Sequence, residues 1–279
     1  MTAIEQTSAQ PAQPIVRPAP RRRLAWQGFA LPVALLIAWC ALSATGVFPP
    51  QVAPSPMSVA RDLWKLWSNG QLLAHIAITT WRVALGFLFG AAAATVMGAA
   101  TGYSRLACTY LDPTIQALKA VPSLAWVPLF ILWFGIFEAS KVTLIAVGVF
   151  FPVYLNLMAG IQGVDRKLVE VGRINNLSRF DLVRRILAPA ALPSYFTGLR
   201  AGLALGWMFV IAAELMGASQ GLGFLMTDGE MTGRPSIVVG ALILFAIAGK
   251  ITDGALVAFG RRVLSWQDDL ASLQARETR

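Results

Sequence analysis

Six apolar stretches of about twenty residues or more punctuate this chain: Trp26 to Gly46, Thr79–Gly102, Pro113–Phe134, Ala139–Gln162, Ser194–Met216 and Ser236–Phe259. A helix of about twenty residues rising 1.5 Å each crosses the ~30 Å of hydrocarbon in a bilayer. Hydrophobic residues make up 56% of the chain and charged ones 13%, against roughly 25% charged in a soluble domain. One aqueous core burying all six stretches would leave too few polar side chains for its surface, whereas lipid removes the need for that surface. The expectation is an all-α, polytopic membrane protein with six transmembrane helices. The third stretch is the most interrupted, by Lys119, Pro122 and Pro128.

Residues 1–24, rich in Pro, Gln, Ala and Thr, read as a disordered tail. Residues 25–262 form the membrane domain, and 263–279 a second tail. Arg21, Arg22 and Arg23 before the first stretch resemble a signal peptide with a cleavage site near Ala41–Ala44. The apolar run is longer than the roughly 7–15 residues of a secretory core, so an uncleaved first span is expected.

Net charge is +9, but the cations fall in the segments between spans and do not line one face, so nucleic acid is not an expected partner. With the N-terminus inside, inward segments carry Arg105, Arg166, Lys167, Arg173, Arg179, Arg184, Arg185, Arg261 and Arg262, whereas outward ones carry only Arg61, Lys65, Lys141 and Arg234. The positive-inside rule then puts both termini and the 163–193 segment in the cytoplasm. Outside, an amphipathic stretch from Ser58 to Ile76 aligns Val59, Leu63, Leu66 and Trp67 and is expected to lie on the membrane surface. His75, the single histidine, is read there as solvated or interfacial and not as a metal ligand.

Small residues recur every four positions at Gly86, Gly90, Ala94, Gly98 and Gly102, and again at Gly198, Gly202 and Gly206. Such stripes let helix backbones approach closely in lipid, with the partner either in the same chain or in a second copy. Charges within spans, at on the order of 2.5–3.5 kcal/mol each, require a counterpart. Arg82 and Lys119 lie near span ends, where they can reach the interface. Lys250 and Asp253 fit a neutralising pair on one helix face. Arg200 and Glu214 are either structurally paired or line a polar path.

Catalytic constellations are missing. Gly249-Lys250 lacks the rest of a phosphate-binding loop, no His-Glu-x-x-His or Gly-x-Ser-x-Gly occurs, and Cys40 and Cys108 form no metal set. The chain is read as no enzyme, with no cofactor of its own.

The charged 163–193 segment is the remaining functional feature. Asp165 can cap a helix to about Ile174, and Asn175-Asn176 can end it, since Asn tolerates the left-handed conformation. Ser178 and Asp181 begin a second helix, in which Phe180, Val183 and Leu187 form an apolar row, ending at Ala188 before Pro189. Glu170, Asn176, Ile186 and Pro189 then keep the spacing of the Glu-Ala-Ala, three residues, Gly, nine residues, Ile-x-Leu-Pro signature, with Val171, Gly172, Asn176 and Ala188 departing from it. The segment resembles the cytoplasmic signature of permease subunits of ATP-binding-cassette importers. Leu129–Gly135, Phe151–Asn156, Pro189–Pro193 and Ala212–Glu214 resemble the nitrate, sulfonate and taurine group, and His75–Ala77, Trp81-Arg82 and Ala248–Lys250 the aliphatic sulfonate permeases within it.

The resemblance implies a type I importer permease fold in the inner membrane, two copies of the chain, two cytoplasmic ATPase subunits that bind the ATP and Mg, and an extracytoplasmic substrate-binding protein. It further implies that Val169, Glu170, Arg173, Asn175, Asn176, Leu177, Ser178 and Pro189 couple the chain to the ATPase. A translocated anion, aliphatic sulfonate first and taurine, nitrate or a pyrimidine precursor otherwise, would favour Lys119 and Arg200, with Glu214 also on the path. A transporter driven by an ion gradient is the competing class, and it would carry inverted repeats with broken helices.

Overall fold

A computed structural model describes residues 27–45, 49 and 52–265; the tails expected over 1–24 and beyond residue 265 lie outside them. The helices are α1 (Gln27–Ala44), α2 (Pro56–Ser68), α3 (Gln71–Tyr103), α4 (Arg105–Ala120), α5 (Val127–Phe134), α6 (Glu138–Gln162), α7 (Arg166–Ile174), α8 (Arg179–Leu182), α9 (Ala188–Leu215), α10 (Leu222–Met231) and α11 (Pro235–Val263). No strand occurs among the described residues.

Among the described residues, four helical segments are long and apolar enough to cross a membrane, α3, α6, the rod ending in α9, and α11, or five if α4 with α5 counts as one. The apolar stretch Ala30–Ala44 of α1 is too short to count among them. The third stretch is not the single helix expected from Pro113. Helix begins at Arg105, and α4 and α5 meet at 86°. Val121 precedes Pro122 and is driven to an extended conformation (ψ 122°), which ends α4. Pro128 sits in the first turn of α5, where no backbone donor is needed.

The amphipathic stretch also divides. Gly70, at φ 72°, turns the chain between α2 and α3, so α2 stops at Ser68 and the second long helix starts at Gln71. Val59 is buried, Leu63 packs against Gly240 of α11, and Trp64 and Trp67 stay exposed. Asp62 accepts a 2.6 Å hydrogen bond from the Ser236 hydroxyl. That bond, opposed by burial and aided by Lys65, holds the Asp62 carboxyl below the usual carboxylate range.

The centre is a three-helix slab of α3, α6 and α9, with α6 in the middle. Both small-residue stripes face α6: a methyl group at Gly90 would strike the backbone of Ala146, and one at Gly198 would lie 3.1 Å from the Pro152 carbonyl oxygen. For these positions the close-packed partner is in the same chain. Between the stripes lie Val149, Val153 and Tyr154, each without exposed surface. The Tyr154 hydroxyl donates to Asp112 at 2.9 Å and ties α4 to the slab.

The helix begun by Ser178 was expected to stop before Pro189, and it continues. Residues Val183–Leu187 form a π turn, in which the Ala188 N–H reaches back to the Val183 carbonyl, and α9 follows without a break. In a regular α-helix the Pro189 ring would press on the Arg185 carbonyl. The wider turn relieves that contact, so the chain bulges where it was expected to end.

Candidate functional site

The 163–193 segment closes one end of the slab as a helical hairpin. Asp165 caps α7 by accepting from the Lys167 N–H at 2.9 Å. At the other end the Leu177 N–H bonds to the Gly172 carbonyl (3.1 Å) and the Asn176 N–H to that of Arg173 (2.9 Å). This doubly bonded cap requires a left-handed residue, and Asn176 supplies it at φ 55°, the one non-glycine positive φ among the described residues. Ser178 then accepts from the Asp181 N–H (3.1 Å) and donates to its carboxylate (2.7 Å).

Gly172, a departure from the signature, sits at the contact between the two arms. A Cβ there would stand 2.6 Å from Ile186 Cδ1 and 2.9 Å from Leu182 Cδ1. The missing side chain lets the two arms of the hairpin touch. Of the expected apolar row, Leu187 is buried and Val183 half-buried, but Phe180 is 71% exposed and does not join it. Val169, Leu177 and Pro189 are half-buried beneath the hairpin, whereas Glu170, Arg173, Asn175, Asn176 and Ser178 face outward. Leu168, Val171 and Ile174, on the outward side of α7, are 49%, 54% and 78% exposed. An apolar row left open at helical spacing on a charged helix is a surface suited to a protein partner.

The opposite end of the slab holds an ionic cluster. Arg82 was expected to reach the interface; it is instead 2% exposed. Its Nη1 donates to Glu214 (2.8 Å) and to the Gln220 carbonyl (2.6 Å), while Nε and Nη2 each donate to a different oxygen of Glu138 at 2.6 Å. Glu214, with no exposed side-chain surface, also accepts from the Thr79 hydroxyl (2.8 Å) and the Gly223 N–H (2.8 Å). Thr79 in turn accepts from the Leu222 N–H, and His75 Nδ1 from the Gly221 N–H (3.0 Å). His75 is half-buried and stacked on Phe224, with its Nδ1 occupied by that bond. One face of α3, through His75, Thr79 and Arg82, fastens the loop between α9 and α10.

Arg200 and Glu214 are not brought together. Arg200 bonds in a two-pronged way to Asp253 of α11 (2.9 and 3.1 Å), which replaces the expected Lys250–Asp253 pair. Lys119 is exposed in the last turn of α4. Sequence reading missed the Arg82–Glu138–Glu214 constellation, because its members come from three helices and no local spacing joins them. The available signal was a charge inside each of three apolar stretches or at its edge.

The family of binding-protein-dependent transport system inner membrane components matches residues 71–265. The chain is 39% identical over 249 residues to a Bacillus subtilis protein named as an aliphatic sulfonates transport permease, covering 89% of this chain and 90% of the relative. The Escherichia coli protein of the same name is 39% identical over 236 residues (85% and 90% covered), and the taurine transport system permease protein of that organism 30% identical over 241 (85% and 88%). These relatives are named as transport permeases and not as enzymes. With its membrane-crossing helices and its match over both the ionic cluster and the hairpin, the chain belongs to the binding-protein-dependent transport system inner membrane components.

Proposed function

We propose that this chain is the permease of an ATP-binding-cassette importer that carries a small organic anion, an aliphatic sulfonate in the first place, inward across the inner membrane. The open apolar row Leu168, Val171 and Ile174 beside Glu170 carries the reading. It gives a cytoplasmic ATPase a place to grip, with Asn176 holding the angle between the two arms. Val169, Glu170, Arg173, Asn175, Asn176, Leu177, Ser178 and Pro189 form the coupling element. ATP and Mg are bound by the partner ATPase, and closure of two ATPase subunits swings the hairpins of two copies of this chain. A soluble binding protein delivers the anion at the end of the slab that carries the ionic cluster. The excess of Arg and Lys at the hairpin end supports a cytoplasmic hairpin and cytoplasmic termini.

Lys119 and Arg200 attract the anion along the path, and Glu214 contributes through its hold on Arg82. The substrate choice follows the names of the relatives at 39% identity, with taurine the nearest alternative. Co-purification tests the coupling. The ATPase is expected to stay with the detergent-solubilised chain and to be lost on Glu170→Lys. Uptake that survives ATP depletion and falls with an ionophore would instead make the protein a gradient-driven transporter. Normal transport by both Lys119→Ala and Arg200→Ala in vesicles would remove those two residues from the path.

A further inference from the structure

The two edges of the Arg82 guanidinium meet very different partners. One edge is closed by Glu214, whose side chain has no exposed surface, and by the Gln220 carbonyl. The other edge, Nε with Nη2, is hydrogen-bonded, among the described residues, to Glu138, whose side chain is 57% exposed. Lys141 stands on the same side. Its side chain is 7% exposed, and its Nζ lies 2.8 Å from the Ile136 carbonyl and 3.5 Å from Glu138. The charges of Arg82, Lys141, Glu138 and Glu214 sum to zero, and without Glu138 the buried remainder is one positive charge. The cavity beside Lys141 measures about 10 Å³, which is room for one water at most. An organic anion does not fit there, and the exposed Glu138 carboxylate marks the side from which one can approach both cations.

We propose that the Nε/Nη2 edge of Arg82, with Lys141, is a binding site for the sulfonate or other oxyanion group of the substrate, and that Glu138 is a built-in competitor occupying it at rest. An oxyanion with two coplanar acceptors repeats the two-pronged geometry that the Glu138 carboxylate shows. Glu138 is free to leave because more than half of its side chain already faces solvent and its ionic partners are the two cations that the anion would take over, whereas Glu214 cannot leave without stranding Thr79 and the Gly223 N–H. The exchange swaps one anion for another on Arg82, so the buried charge never goes unpaired. This inference rests on the anion-importer reading and names the residues that receive the anion.

The test is calorimetric titration of ethanesulfonate into the full chain in lipid nanodiscs, with the neutral ethyl methyl sulfone as control. If Glu138 occupies the edge about nine-tenths of the time, Glu138→Gln tightens ethanesulfonate binding about tenfold. Lys141→Met weakens it, and the sulfone does not bind. Unchanged or weaker binding by both Glu138→Gln and Glu138→Ala overturns the proposal, as does insensitivity to Lys141→Met. Glu138→Ala repeats the test should the glutamine amide stay on the arginine or the first variant fail to fold. ATP-driven sulfonate uptake by the wild-type complex is measured in parallel. Its absence would sink the importer reading for that substrate without touching the order of affinities.

Discussion

Removing Glu214 should be among the most damaging single changes in the slab. In Glu214→Ala the Arg82 Nη1, the Thr79 hydroxyl and the Gly223 N–H lose their shared acceptor, all inside the protein. Breaking a buried ion pair by deleting one partner costs about 3–5 kcal/mol. Arg82 keeps its two bonds to Glu138, so the lower end of that range, about 3 kcal/mol, applies to the charge, and the two orphaned neutral donors at about 1 kcal/mol each bring the total to about 5 kcal/mol. At about 2–4 °C per kcal/mol for a domain of this size, the apparent melting temperature falls by roughly 10–20 °C. The assay is thermal unfolding of the detergent-solubilised chain followed by the loss of its monodisperse chromatographic peak. Adding Arg82→Gln to Glu214→Gln should recover part of the loss caused by Glu214→Gln alone, since the remaining Glu138 is largely exposed and keeps Lys141 as a partner. A Glu214→Ala melting point within about 2 °C of wild type, or a double variant as unstable as the sum of its parts, would refute the reasoning.

Three further outcomes follow from the geometry. Gly172→Val should force Leu182 and Ile186 off α7, costing about 1–3 kcal/mol locally, and reduce ATPase retention on co-purification while leaving the melting point of the whole chain nearly unchanged. Asn176→Gly should keep the hairpin intact, whereas Asn176→Val should lose about 1–2 kcal/mol at a left-handed position, read as faster hydrogen exchange at the Leu177 amide. The carboxyl of Asp62 is held below its ordinary value, so its contribution to docking α2 is complete above the unfolded value of 3.8 and is lost as pH falls through the lower folded one. Fluorescence of Trp64 and Trp67 against pH should show that transition in the wild type and lack it in Asp62→Asn.

Much of the architecture was legible because lipid imposes a simple length rule. The stretches starting at Ala139 and Ser236 match α6 and α11 to within a few residues at each end. Where reading failed, single residues decided. Gly70 turned one amphipathic stretch into parts of two helices, and Pro189, read as a stop, is accommodated by a π turn. The hairpin was readable because caps are local: Asp165, Asn176 and Ser178 act on neighbours within a few positions. The ionic cluster was not, because the bonds of Arg82 to Glu138 and Glu214 cross 56 and 132 residues of sequence. A sequence shows that a buried charge needs a partner, while only the packing of three helices chooses which.

The π turn joins two places that otherwise look unrelated. From Phe180 to Leu215 the chain is one helical segment of 36 residues, about 50 Å of strut at 1.5 Å per residue. Its foot is the exposed Phe180, and its head carries Glu214. A torque applied to the hairpin thus travels to the far end along the same rod, through a single wider turn. The five-residue bulge is its softest point, and it sets how much of a twist at the foot is felt at the head.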